Sequence, residues 1–172
     1  EEAGSVIWDP LCVNNLTVLL KHEEKLPVPR GQEPDTRKIG VVVKGCDARA
    51  LNQLIQELTI KREDVVIIGM ACNQCLDPNK FEDALVENNL PLDASYDISW
   101  KGGKIAVINN NNQEQRVDLD PAGLVLEKCG RCVVPTPEDA DITIGEKIGA
   151  HGEDHYQDQK ELEDMSQEER EK

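Results

Sequence analysis

The sequence has few basic residues, few aromatic residues and no long apolar run, and these shortages exclude several classes of protein. Lys and Arg number 19 against 34 Asp and Glu, which gives a net charge of −15. Such an acidic surface repels nucleic acid and anionic membranes, so neither is an expected partner. No apolar run approaches the roughly 20 residues of a membrane helix. Because residues 1–20 begin with Glu1 and Glu2 instead of a basic segment, we expect no signal peptide and a cytoplasmic protein.

Common catalytic motifs are also missing from the sequence. It has no Ser-His-Asp pattern, no Walker loop and no Gly-x-Gly-x-x-Gly. The three histidines, His22, His151 and His155, lie in charged surroundings, and we expect each to be a solvated surface residue. With 172 residues and no initiator Met, the chain is interpreted as one domain, or one and a fraction, taken from something longer.

Cysteine is the most informative residue type in this sequence. The six are Cys12, Cys46, Cys72, Cys75, Cys129 and Cys132. They are too sparse for a disulfide-stapled domain, and the chain is long enough to fold without staples. Four of them form two Cys-x-x-Cys pairs, at 72–75 and 129–132. We therefore expect reduced thiols that bind a metal in a reducing cytosol.

The central part of the chain predicts a parallel sheet. Apolar, largely β-branched runs at 39–43 and 65–69 predict strands, the first of them buried on both faces. Helical spacing of leucines predicts a helix at 48–57, and Asp77-Pro78 predicts the start of another that ends near residue 87. Strand–helix–strand–helix with short links favours a right-handed parallel crossover.

The flanking parts predict smaller elements. They are a helix at 11–24, an antiparallel meander at 96–100, 104–109 and 115–119, and a short strand at 140–144. A Cys-rich loop precedes that last strand. The fold class is therefore α/β, with a short parallel sheet, crossover helices, a small meander and a Cys-rich loop. We divide the chain into an α/β domain at 1–150 and an acidic tail or linker at 151–172.

Cys46 and Cys72 each follow a predicted parallel strand, at the edge of the sheet where ligands bind. A return loop with Cys129 and Cys132 could complete a four-thiolate site. Such a site can hold zinc or an iron–sulfur cluster, and spacing alone does not decide. On spacing, the two Cys-x-x-Cys pairs would make a structural zinc site. Cys12 and Cys75 are interpreted as small buried residues or as additional metal ligands.

Several blocks of the sequence together resemble a known family. They are residues 9–16, 41–51, 67–72, 129–132 and 140–145. In this order they are similar to the beta subunits of coenzyme F420-reducing hydrogenase and F420-linked formate dehydrogenase, with the opening block closest to formate dehydrogenase. The resemblance covers residues 7–149.

The resemblance implies an α/β fold that carries one [4Fe-4S] cluster beside a flavin, FAD. It implies cluster ligands at Cys46, Cys72, Cys129 and Cys132. It also implies a flavin near Lys44, Gly45, Asn14 and Asn15. The chain would be an oxidoreductase subunit of hydrogenase, formate dehydrogenase or heterodisulfide reductase type. Its activity would require partner subunits and a small electron carrier, F420 or a ferredoxin-like protein.

Two other functions are compatible with the residues. One is a non-catalytic assembly module with a structural zinc site of four cysteines. The other is a flavin-free cluster protein that passes electrons to a thiol or disulfide enzyme. The dipeptide Lys44-Gly45 has two interpretations. It is either a tight turn that needs glycine or a place where the backbone comes close to a cofactor, and the sequence does not distinguish the two.

Overall fold

The computed structural model describes residues 7–22, 29–33, 36–112, 115–153 and 156–170. The α-helices and strands of these ranges are β1 (Ile39–Val43), α1 (Gly45–Gln56), β2 (Val65–Met70), α2 (Pro78–Glu87), β3 (Tyr96–Lys101), β4 (Lys104–Asn109), β5 (Arg116–Leu119), α3 (Glu127–Gly130), β6 (Ile142–Ile144), α4 (Gln157–Asp164) and α5 (Gln167–Arg170). They form a parallel sheet in the order β1–β2–β6 and an antiparallel sheet in the order β3–β4–β5. The predicted α/β class, with its meander, is confirmed.

One face of the parallel sheet forms a hydrophobic core. Val41 and Val43 of β1 are buried there against Leu51 of α1. On the other face, Val42 is only half-buried and Gly40 is exposed. The prediction that this strand is buried on both faces is therefore wrong for the described residues, because α1 covers a single face of the sheet.

Helix α1 begins three residues before the predicted start at residue 48. The Asp47 carboxylate accepts the backbone N–H of Lys44 at 3.2 Å, so the helix is capped from within its first turn. Since the helix starts at Gly45, Cys46 belongs to its first turn instead of a preceding loop. Cys46 is thereby fixed rigidly at the end of β1.

The second core lies between α2 and the antiparallel sheet. Phe81 and Leu85 of α2 pack with Ile105 and Val107 of β4. As predicted, Asp77 caps α2, because its carboxylate accepts N–H groups from the first turn. This unit supports the segment after β2 that carries the first Cys-x-x-Cys pair.

The predicted helix at 11–24 is confirmed only for its central part, as a 3₁₀ helix, where the structure describes it. A turn lies at Pro10 and Leu11, and a 3₁₀ helix follows at Leu16–His22. Asn15 explains this late start, since its side-chain oxygen accepts hydrogen bonds from the backbone and the hydroxyl of Thr17. The end of the predicted helix lies outside the described residues.

The acidic end of the chain forms α4 and α5, whose described side chains are exposed. Among the helices that the structure describes, none combines the length and the apolar character needed to cross a membrane.

Leu58, which follows α1, offers a test of backbone strain. Its φ is +57° and its side chain is 88% exposed, so it gains little from packing. Asn89 takes the same φ after α2, and asparagine tolerates this left-handed conformation better than leucine. We expect Leu58→Asn to raise the free energy of unfolding by about 1 kcal/mol in urea denaturation. The reciprocal Asn89→Leu should lower it, and a lower urea midpoint for Leu58→Asn would contradict this account.

Candidate metal centre

Five of the six cysteines line one cavity of about 30 Å³, here called the cysteine cavity. It lies where the ends of β1 and β2 meet the loop between α3 and β6. The five are Cys46, Cys72, Cys75, Cys129 and Cys132. The sixth, Cys12, lines a neighbouring cleft, and all six thiols are free of disulfides.

The parallel pairing of β1 and β2 brings Cys46 and Cys72 to the same edge of the sheet, as the sequence predicts. Val43 pairs with Gly69, so the two strands end side by side. Gly45 allows the return loop to approach, because a Cβ there would overlap the carbonyl oxygen of Val134. Gly45 therefore lines the cysteine cavity and packs against the loop that follows Cys132.

Backbone pairing fixes the second Cys-x-x-Cys pair against the first. The Leu126 N–H donates to the Cys75 carbonyl at 2.9 Å, and Leu76 forms a β-bridge with Val125. On the other side of the loop, the Cys72 N–H donates to the Pro135 carbonyl at 3.2 Å. The two cysteine loops thus form one connected unit.

His151 is part of this site, which corrects the prediction that it is a solvated surface residue. The ring Nε2 of His151 lies 3.0 Å from the Cys72 carbonyl oxygen, and the backbone N–H of His151 donates to the Cys132 carbonyl at 2.7 Å. The side chain lines the cysteine cavity. Its acidic neighbours in the sequence gave no signal of this contact. His155 lies outside the described residues, and so does the side chain of His22.

The thiols have unequal acidities because they contact one another. A hydrogen bond from Cys75 lowers the pKa of Cys72 to about 7 and that of Cys129 to about 6. The same two contacts, together with burial, raise the pKa of Cys75. Although the Cys46 residue is exposed, desolvation at its sulfur and the neighbouring Asp47 raise the pKa of Cys46 to about 11. The lowered pKa values of Cys72 and Cys129 favour the thiolate, which is the form that binds metal.

Two lysines near the cavity favour negative charge on the thiols. Lys44 acts on Cys46 and Cys72, and Lys128 acts on Cys129. A group that brings several thiolates together would find compensating charge here, although the chain as a whole is strongly acidic.

Lys44 is buried and has several partners. Its Nζ lies 2.8 Å from the Asp47 carboxylate and donates to the carbonyl oxygens of Cys12 and Asn14, at 3.1 and 3.0 Å. It also lies 5.5 Å from the centre of the Trp8 ring. Lys44 therefore fastens the N-terminal segment to the start of α1.

A cleft of about 240 Å³ adjoins the cysteine cavity and shares lining residues with it. The shared residues are Lys44, Cys72, Gln74 and Cys75. Both tryptophans of the chain, Trp8 and Trp100, line the cleft. Because large aromatic side chains bind flat rings well, the cleft suits a planar ligand beside the thiols. Neither tryptophan was identified from the sequence, since the two lie far apart along the chain.

Asn14 and Asn15, which the resemblance places near a flavin, have local roles in the structure. The Asn14 carbonyl accepts from Lys44, and the Asn15 side chain holds Thr17. Neither residue lines the cleft. Lys44 is the one of the four residues expected near a flavin that lines the cleft.

The donor set can be compared with the two groups that it could hold. Thiolates bind both zinc and iron–sulfur clusters. Within the described ranges, no three His, Cys, Asp or Glu side chains are grouped as a single metal ion requires. A zinc ion needs four sulfurs about 2.3 Å from one point, whereas a four-iron cluster binds each thiolate at a separate iron. The chemistry of the donor set, several cysteine thiols at one cavity, is therefore compatible with either group.

A protein-family model that describes the C terminus of the beta subunit of coenzyme F420 hydrogenase/dehydrogenase matches residues 36–161. This range contains all five cysteines of the cavity, His151, and both sheets.

The chain is similar to two formate dehydrogenase subunits and to one solved structure. It is 30% identical over 115 residues to the F420-dependent formate dehydrogenase subunit beta of Methanocaldococcus jannaschii, covering 63% of this chain and 30% of that protein. It is 31% identical over 122 residues to the F420-dependent formate dehydrogenase 1 subunit beta of Methanococcus maripaludis, covering 68% of this chain and 31% of that protein. A chain of the F420-reducing [NiFe] hydrogenase complex from Methanosarcina barkeri matches at 18% identity and a TM-score of 0.48, over 60% of this chain and 38% of that one. The matched segments thus span less than a third of the length of the two formate dehydrogenase relatives.

Proposed function

This chain belongs to the family defined by the C-terminal part of coenzyme F420 hydrogenase/dehydrogenase beta subunits, and we propose that it holds one [4Fe-4S] cluster and relays electrons through it. One observation carries the proposal. Cys46, Cys72, Cys129 and Cys132 come from three separate parts of the chain and line the same small cavity. Packing alone gives no reason for four thiols to meet in this way.

The four proposed ligands leave the cluster close to the surface of the chain. Cys46 is exposed, and the other three are half-buried. A relay cluster must come close to its electron donor and acceptor, so partial exposure suits this function. The hydrogen bonds and the charges around the sulfurs set the potential of such a cluster.

We further propose that a flavin, FAD, binds in the cleft beside the cluster, between Trp8 and Trp100. Because the cleft and the cysteine cavity share lining residues, a ring bound in the cleft would lie next to the thiols. When bound, a flavin exchanges single electrons on one side and hydride on the other. The contribution of Lys44 would be to hold residues 8–14 as one wall of the cleft and to supply positive charge there.

The proposed setting is a cytoplasmic oxidoreductase complex of hydrogenase, formate dehydrogenase or heterodisulfide reductase type. Partner subunits would exchange electrons with the cluster, and F420 or a ferredoxin-like protein would act as the small carrier. The net charge of −15 would favour basic docking surfaces and repel acidic ones.

Metal and sulfide analysis of anaerobically purified protein tests the proposal. We expect about four iron and about four sulfide per chain, with a visible spectrum that shows the cluster and, if FAD is bound, the flavin. Stoichiometric zinc without iron would instead support a structural four-cysteine site. A complete cluster in protein that never takes up supplied FAD would retain the relay and exclude the flavin.

A further inference from the structure

Residues 148–152 lie against the loop that carries the second Cys-x-x-Cys pair, and we call them the clasp. At one end, the Ile148 N–H donates to the hydroxyl of the buried Thr136 at 3.0 Å. At the other end, the backbone N–H of His151 donates to the Cys132 carbonyl at 2.7 Å. The clasp is therefore attached to this loop at two separate points.

Gly152 allows the clasp to approach the loop closely. A Cβ at this position would lie 2.6 Å from the Cα of Arg131 and 2.9 Å from the carbonyl oxygen of Gly130, which is closer than real Cβ atoms come to the backbone. The Gly152 N–H also donates to the Cys132 carbonyl, at 3.2 Å. Gly149, in contrast, has open space where a Cβ would be added. The close contact is thus specific to one end of the clasp.

The His151 ring reaches from the clasp to the other cysteine loop. Its Nε2 lies 3.0 Å from the Cys72 carbonyl oxygen. Because a carbonyl oxygen only accepts hydrogen bonds, Nε2 is the donor and carries a proton. This nitrogen therefore has no lone pair to offer a metal. With its backbone bonded to Cys132 and its ring to Cys72, His151 connects two cysteine loops that lie far apart along the chain.

We propose that the clasp holds the two cysteine loops at the spacing that the metal centre needs, with His151 as its positioning residue. The effect on iron rests on the proposed cluster, whereas the effect on the metal-free chain rests on these hydrogen bonds alone. When the His151 bond to Cys72 is lost, Cys132 can move away from Cys72. A cluster bound to both cysteines should then dissociate more readily.

The first test replaces His151 by two uncharged amides that differ in reach. His151→Gln brings an N–H donor to the place of Nε2, whereas His151→Asn brings one only to the place of Nδ1. The variants and the unaltered chain are loaded anaerobically with iron and sulfide, and the loss of iron to bathophenanthroline is timed. We expect His151→Asn to lose iron about three- to tenfold faster, the effect of one hydrogen bond, and His151→Gln to stay within about twofold of the unaltered chain.

The second test displaces the clasp with a matched pair of glycine substitutions. Gly152→Ala forces a methyl group against the backbone of the second cysteine loop, whereas Gly149→Ala adds the same group to open space. In metal-free protein, iodoacetamide should alkylate Cys72 and Cys132 several-fold faster in Gly152→Ala and at the original rate in Gly149→Ala, as located by mass spectrometry. The same assay applies to both His151 variants, and circular dichroism shows whether each variant folds. If Gly152→Ala does not fold, the two His151 variants decide.

The outcomes distinguish the clasp from the proposed cluster. If the unaltered chain takes up no iron, the cluster proposal fails, and the alkylation rates alone decide on the clasp. Iron loss and alkylation that stay unchanged in His151→Asn would show that the ring positions nothing, and the inference would be wrong. If His151→Gln loses iron as fast as His151→Asn, the donor at Nε2 is not the cause, which also contradicts the inference. In that case, failure of both variants to load iron would identify His151 as a ligand through Nδ1.

Discussion

Cys72→Ser should leave the chain unable to retain a complete iron–sulfur cluster. Cys72 lies two residues after the end of β2, its N–H donates to the Pro135 carbonyl, and its carbonyl oxygen lies 3.0 Å from His151 Nε2. Its sulfur also interacts with those of Cys46, Cys129 and Cys75. A serine hydroxyl in that fixed position is a poor ligand for iron, so we expect iron well below four per chain or a labile three-iron form.

Iron and sulfide content after anaerobic loading measures this effect, and thermal unfolding of the unloaded protein shows whether the variant folds. Cys12→Ser is the control, since Cys12 lies outside the cysteine cavity. A Cys72→Ser protein that keeps four iron with an unaltered spectrum would exclude Cys72 as a ligand. The ligand set would then have to include Cys75, which faces the same cavity.

The strands and α2 could be predicted from sequence because their signals are local. The β-branched runs of β1 and β2, and the cap at Asp77, each act within a few residues. The start of α1 was missed by three residues because its cap is the Asp47 side chain, which folds back onto Lys44 from inside the helix. The helix predicted from residue 11 starts only at Leu16, because Asn15 competes with the backbone for hydrogen bonds.

Much of the site was predictable for a topological reason. Parallel neighbours end at the same edge, so Cys46 and Cys72 had to meet once β1 and β2 paired. His151 and Trp100 could not be found in that way. Their contacts with the cysteine loops and the cleft depend on how distant segments pack, and neither residue lies in a motif.

Asp47→Ala should destabilise the chain strongly, because it leaves a buried ammonium group without its counter-charge. The Lys44 and Asp47 side chains are each about 5% exposed, and their charged atoms lie 2.8 Å apart. Burial alone would lower the pKa of Lys44, but the hydrogen bond and charge of Asp47 outweigh it, so that pKa is raised. Removing one partner of a buried pair costs about 3–5 kcal/mol. The N–H of Lys44 also loses its cap at the start of α1.

Urea denaturation of the metal-free chain measures this cost, and a double-mutant cycle with Lys44→Met identifies its source. Lys44→Met alone leaves the Asp47 carboxylate buried and unpaired, and it releases the carbonyl oxygens of Cys12 and Asn14. The double variant Lys44→Met/Asp47→Ala has no unpaired buried charge at this point, so it should be more stable than the sum of the two single losses predicts. Strict additivity of the two losses would show that the pair contributes no coupling, and that Lys44 stabilises the chain only through the N-terminal carbonyls.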